Sequence, residues 1–402
     1  MRSARCVVLT FLLALALTSV KPVDAQTNVD MDLAASVQFG ESVTFIARLK
    51  APLPIQNALI YIHDVTQSVT YSQPVTFDSN GVSEFRFDTR QNALRPFTTV
   101  LWRYQLTLTD GGVAQSPTGS VRYEDNRFAW HSLEADSLRI HWYIADDSFG
   151  LAALNAAQAG LQNIRGFFPP DLSQPIDMYL YASESDLRGA LPGAEAWAAG
   201  HADSGAGVIT VTVEAGVERT LVMEQRIPHE LMHVLLARQI GAGYRNLPAW
   251  LREGMSMLAE AYPNPDYDRV LADAAERDAL IPMRDLCASF SPQADSAFLA
   301  YAQSRSFTNY LRSVYGADGL LTLARAYASG VTCERGPERA FGVTFVKLER
   351  DWRVNVLGQE SVVSMLEDFL PYLVLLCLVV LFPFIGIFNS LRTKGSTHGQ
   401  SK

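Results

Sequence analysis

The sequence predicts an α+β domain that follows a small all-β sandwich and precedes one C-terminal transmembrane helix. Three observations predict it. Period-two alternation of apolar residues fills residues 27–125. Short strands and then helices fill residues 126–355. An uncharged apolar run, Phe369 to Phe388, lies near the C-terminus. The chain has 402 residues, which suits two or three domains. Its net charge is -9 and no basic patch stands out, so a nucleic-acid partner is set aside.

Residues 1–25 read as a signal peptide. Arg2 and Arg5 form a basic start, Cys6 to Val20 is mostly apolar, and Val23-Asp24-Ala25 suits a small-residue cleavage site. An uncleaved anchor is the alternative, but the run is short for a span.

The all-β reading of residues 27–125 rests on particular runs. Val43, Phe45, Ala47 and Leu49 alternate with mostly more polar neighbours. Phe85 and Phe87 alternate with Glu84, Arg86 and Asp88. Val100, Trp102, Tyr104, Leu106 and Leu108 form the clearest strand. Turn signals separate the runs at Pro52-Leu53-Pro54, Asp78 to Gly81 and Asp110 to Gly112. About seven strands in about 100 residues suggest an immunoglobulin-like or fibronectin-like sandwich. It shows no catalytic cluster and reads as a spacer or packing module.

The next domain begins near Asp125. Leu138, Ile140 and Trp142 alternate as a strand. Leu151 to Phe168 reads as a helix, Pro175 to Tyr181 as a strand, Glu184 to Leu191 as a helix and Val208 to Val213 as a strand. The remainder to Trp352 is mostly helical. Neither an internal repeat nor a long low-complexity segment is seen.

His229-Glu230-Leu231-Met232-His233 spells H-E-x-x-H inside a helix predicted over Gln225 to Ile240. Residues four apart share a helix face, so both imidazoles reach one metal ion with Glu230 beside them. Pro228 suits the first helical turn, and Gly241 to Gly243 end the helix. Glu224, Arg226 and Arg238 make this a soluble helix and argue against an intramembrane protease. Leu236 and Gln239 stand where a metzincin needs Gly and His. Leu247-Pro-Ala-Trp-Leu-Arg-Glu-Gly254 reads as a second helix carrying a third ligand, Glu253, with Glu260 the weaker candidate. His131, His141 and His201 lack partner spacing and read as structural.

These two motifs together resemble the peptidase MA-like domain of the gluzincin zinc metallopeptidases, over about residues 126–355. The resemblance implies an α+β zincin-like fold, one zinc ion, His229, His233 and Glu253 as its ligands, and Glu230 as general base. Tyr301-Ala-Gln-Ser304, Tyr310 to Gly316 and Trp352 resemble the helical end of such domains. The Gly-Ala-Met-Glu-Asn motif of the gluzincin aminopeptidases is absent.

The expected activity is peptide-bond hydrolysis by a zinc-bound water, with Glu230 carrying its proton to the leaving amine. Tyr301 is the candidate stabiliser of the oxyanion, with packing as its alternative role. The strand over Val208 to Val213 is a candidate edge for pairing with an extended substrate. A catalytically silent zincin-fold surface binding or adhesion protein is the rival. A purely structural zinc protein would need a fourth ligand, and no Cys or His is well placed for it.

Cys287 and Cys333 are an even pair in the part expected outside the cytoplasm; a bridge and two buried thiols are both open. The span 369–388 is followed by Arg392, Lys394 and Lys402, and basic residues stay on the cytoplasmic side. The expected location is the cell membrane, single-pass, with residues 389–402 as a cytoplasmic tail and a peptide or protein as substrate.

Overall fold

The computed structural model describes residues 27–144, 146–191, 199–359 and 369–379. The expected signal peptide, 1–25, and the expected cytoplasmic tail, 389–402, lie outside them. Two compact units divide after Asn126.

The first unit is all β. Its strands are β1 (Thr27–Asn28), β2 (Met31–Gln38), β3 (Ser42–Leu49), β4 (Ile55–Asp64), β5 (Thr70–Val75), β6 (Val82–Asp88), β7 (Thr99–Leu108), β8 (Val113–Gln115) and β9 (Gly119–Arg122). One sheet runs β1-β8-β7-β4-β5 with β9 also on β7; the other runs β2-β3-β6. Alternation buries Val43, Phe45 and Ala47 from β3 and Val100, Trp102, Tyr104 and Leu106 from β7. Phe45 and Trp102 meet with ring centroids 5.0 Å apart, so the two sheets share this core. Asp64 ends β4 fully buried. It accepts from Thr66 N at 2.9 Å, Thr66 Oγ1 at 2.7 Å, Gln67 Nε2 at 2.8 Å, Arg95 N at 3.0 Å and Thr98 Oγ1 at 2.7 Å.

The second unit opens with β10 (His131–Ala135), β11 (Leu138–Trp142), α1 (Asp147–Ile164), β12 (Ile176–Tyr181), α2 (Glu184–Ala190), β13 (Gly200–Asp203) and β14 (Val208–Thr212). Its later helices are α3 (Arg219–Ile240), α4 (Ala249–Ala259), α5 (Asp266–Glu276), α6 (Ala294–Ala328), α7 (Gly336–Phe341) and α8 (Phe345–Leu357). Short 3₁₀ turns occupy Gly241–Asn246 and Met283–Cys287.

The sheet order is β10-β11-β12-β14-β13. β11, β12 and β14 are parallel; β10 and β13 pair antiparallel at the two edges. The expectation that the strand over Val208 to Val213 is an edge is therefore corrected. Every residue of β14 is buried between two neighbours, and the edge is Gly200–Asp203. An all-β-branched strand has no face suited to water, whereas Gly-His-Ala-Asp does. Ile140, Met178, Ile209 and Val211 join one core with Ala153, Ala157 and Leu161 of α1 and Leu231 and Leu235 of α3.

Two close helix crossings depend on glycine. A Cβ on Gly160 of α1 would lie 2.6 Å from Pro228 Cβ of α3. One on Gly254 of α4 would lie 2.5 Å from the Ser304 carbonyl of α6 and still nearer Thr308 Oγ1. Trp250, the largest residue of the second motif, is wholly buried against Phe307, Tyr327 and Phe345. Cys287 and Cys333 are joined in a disulfide with Cα atoms 6.1 Å apart.

Residues 369–379 are helical and exposed, with Phe369, Leu370, Tyr372 and Leu376 among the open apolar side chains. Among the described residues, no helix is long and apolar enough to cross a membrane. The rest of the expected span, 380–388, lies outside them.

Candidate metal centre

The site is built from α3, α4 and the residue that follows α4. α3 begins at Arg219, six residues before the expected start, so Pro228 lies inside the helix and not in its first turn. Proline has no N–H to offer the carbonyl four residues back, and its ring crowds that carbonyl. The Glu224 carbonyl is accordingly taken by Ala261 N at 2.9 Å. That bond ties the residue after Glu260 to the metal-motif helix. Asn163 of α1 holds the same corner by donating to the Ala259 and Glu260 carbonyls at 3.1 and 3.3 Å.

His229 and His233 project from one face of α3 with ring centroids 5.1 Å apart. Glu253 sits on α4 opposite them. Its Oε2 lies 3.3 Å from His229 Nε2 and 3.4 Å from His233 Nε2. One ligand atom from each of the three residues falls within 4.8 Å of the other two. The outward nitrogens are also engaged: His229 Nδ1 meets Glu260 Oε1 at 3.1 Å, and His233 Nδ1 meets the Tyr244 hydroxyl at 2.9 Å. A ring that donates from Nδ1 presents Nε2 as a lone pair, the form a metal ligand needs.

Glu260 thus stands behind His229, outside the triad, which separates it from Glu253. α4 stops at Ala259, and Glu260 has extended backbone (ψ 134) that turns its carboxylate to the far side of the ring. Tyr244 gave no signal in the sequence. It lies in the Gly-rich stretch that ends α3.

The electrostatics suit a cation. Burial pushes the Glu253 carboxyl up, but the charge and hydrogen bonds of His233 and His229 prevail and hold it far below the usual range. Burial opposes a charge on His229, yet the hydrogen bonds its ring donates to Glu253 and Glu260 raise its pKa well above 6.5. Two imidazoles and a carboxylate, each partly buried and mutually in reach, are a donor set for zinc. Four protein ligands would close such a site; three leave a position open.

The triad lies in a cleft of about 630 Å³ lined also by Gly200, His201, Arg226, Glu230, Tyr267 and Tyr301. Edge strand β13 runs beside it. A Cβ on Gly200 would come within 2.5 Å of Glu230 Oε1, so glycine brings the strand backbone up to that carboxylate. Tyr301, on α6, has its ring 6.4 Å from His229. His141 bonds Ser132 Oγ at 2.8 Å and Asp177 Oδ1 at 2.9 Å, and His131 stacks on Trp142, away from the cleft. His201 lines the cleft.

The family model of the Peptidase MA superfamily matches residues 156–358. The chain belongs to this superfamily. The match contains α3, α4 and every residue of the triad. The second unit, a strand-rich first half followed by helices, is consistent with that family. No curated protein matches the chain.

Three of the solved structures that match are distant. One described as a myokine structure is 8% identical at TM-score 0.20, covering 25% of this chain and 99% of its own. A polysaccharide deacetylase from Bacillus cereus is 7% identical at TM-score 0.21, covering 40% of this chain and 54% of its own. A putative polysaccharide deacetylase from Bacillus anthracis is 10% identical at TM-score 0.20, with the same coverage, 40% and 54%. The chain therefore spans about half the length of either deacetylase. Scores this low assign no fold.

Proposed function

We propose that this protein is a membrane-anchored zinc metallopeptidase that hydrolyses peptide bonds outside the cytoplasm. The observation that carries the proposal is the His229, His233 and Glu253 triad with both outward ring nitrogens hydrogen-bonded. Those three residues would hold one zinc ion, which supplies a Lewis acid and acidifies a bound water.

The protein's own groups do the rest. Among the described residues, Glu230 makes no hydrogen bond, so its carboxylate is free to take the water proton and deliver it to the leaving amine. Burial pushes the Tyr301 hydroxyl far above its ordinary pKa, so it stays protonated and can donate to the developing oxyanion. The backbone of edge strand β13 pairs with an extended peptide and lays the scissile bond beside Glu230. The span 369–388, with Arg392 and Lys394 after it, holds the domain to the outer face of the membrane.

The test is zinc quantification and peptide-library cleavage on the purified chain, wild type beside Glu230→Gln. Glu230→Gln keeps the metal and loses most turnover. Full activity in that variant refutes the mechanism. A zinc-loaded wild type inert towards every peptide favours a silent binding or adhesion protein. Protease added outside intact cells should reach the metal-site domain; protection of that domain refutes the orientation.

A further inference from the structure

Arg252 precedes Glu253 on α4 and lines the same cleft. Its Nε is shielded from solvent and has no hydrogen-bond partner. Among the described residues, its guanidinium makes neither an ion pair nor a hydrogen bond, and its carbon lies over the Tyr244 ring, 5.9 Å from the centroid. Tyr244 in turn bonds His233. The cation is therefore held one side chain away from the triad. The other cleft arginine is different: Arg226 donates to the Thr212 carbonyl at 2.6 Å. The cleft's carboxylates do not answer Arg252 either. Glu253 and Glu260 are tied to the imidazoles, and Glu230 makes no ion pair with it.

A guanidinium cannot shed its charge, and a shielded cationic donor with no acceptor is costly. It presents a planar fork that matches a carboxylate. We infer that Arg252 is a subsite for a carboxylate of the bound peptide. This rests on the peptidase reading of the cleft and names the class of substrate it takes. The carboxylate has two sources, an Asp or Glu side chain or the free C-terminus of the peptide, and the test separates them.

The probes are labelled octapeptides of Ala and Phe with one Glu, Gln or Lys moved through each position, each made with a free or an amidated C-terminus. Binding is read by fluorescence anisotropy on the full-length, zinc-loaded Glu230→Gln chain, alone and with Arg252→Gln or Arg252→Lys added. Zinc content and melting temperature are recorded for each. The Arg252 chain should favour a carboxylate probe over its neutral match by roughly 10- to 100-fold, the range of a partly shielded charged hydrogen bond. Arg252→Gln should abolish the preference and Arg252→Lys should keep part of it. A preference for Glu over Gln assigns the side-chain source, and one for free acid over amide assigns the C-terminus. No preference in the Arg252 chain, or an undiminished preference in folded Arg252→Gln, overturns the inference. If Arg252→Gln does not fold, Arg252→Lys decides: a preference equal to that of the Arg252 chain overturns it. Turnover by the wild type is measured separately. Cleavage without carboxylate preference refutes the subsite alone, and Arg252-dependent binding without any cleavage refutes the peptidase reading alone.

Discussion

Glu260 is the clearest place to perturb the site without touching a ligand. Its Oε1 accepts from His229 Nδ1 at 3.1 Å, and the residue is 9% exposed. Glu260→Gln keeps an acceptor at that position and removes the charge. Glu260→Ala removes both and leaves the ring free to turn. Partners of this kind contribute about 10- to 100-fold to metal affinity, or about 1.4 to 2.7 kcal/mol. Glu260→Gln should fall near the lower figure and Glu260→Ala near the upper. Glu253→Ala should lose more than either, because it removes one of three ligands. The assay is competition for zinc against a chromogenic chelator, with melting curves to show that each variant folds. Wild-type affinity in both Glu260 variants refutes the orienting role. Zinc loss in Glu260→Ala with full retention in Glu253→Ala refutes the ligand set itself.

Gly254→Ala should destabilise the second unit by about 2 to 3 kcal/mol, since its Cβ would meet Thr308 and the Ser304 carbonyl; a chemical denaturation curve matching wild type rejects the close α4–α6 crossing. Burial raises the Asp64 carboxyl, but hydrogen bonds from Thr98, Thr66 and Arg95 outweigh it and leave the pKa below 3.8. A depressed folded pKa stabilises above the unfolded value and loses that contribution as pH falls through the folded one. The first unit should therefore weaken below about pH 4, and Asp64→Asn should flatten that fall; hydrogen exchange across the pH series reads it, and an unchanged profile counts against the network. Non-reduced mass mapping should recover Cys287 linked to Cys333. Reduction should cost about 4 kcal/mol for a loop of 46 residues, and two alkylatable thiols in the native protein would reject the bridge.

The residue pattern foretold some features and hid others, for physical reasons. The alternating runs at Val43 and Val100 appear as β3 and β7 because one face of each strand is buried. The i, i+4 histidines and the Trp-Leu-Arg-Glu-Gly segment come together because local helix geometry and a large buried Trp250 dictate it. Strand order is a tertiary property. Nothing in Val208 to Val213 says which strands flank it, although a run with no polar face suits a central position. The start of α3 was hidden because its first two turns carry a mixed polar sequence and no side-chain cap. Glu260 lies two helical turns from Glu253, but that spacing cannot reveal that the helix stops one residue before it. Arg252 and Tyr244 are single residues without a motif, and only their shared surroundings single them out.

The proline inside α3 sets local regularity against function. A helix with Ala at position 228 would regain its own N–H, and the Glu224 carbonyl would have two claimants instead of one. The present arrangement acts as a keyed joint. The chain after α4 docks where an acceptor has been left vacant, and sliding it by one residue would strand both Ala261 N and Glu224 O. Glu260, next in line, inherits its placement from that joint. Selection for a smoother α3 would thus unlock the corner that steadies His229, so the flaw in the helix is what keeps its metal face in register.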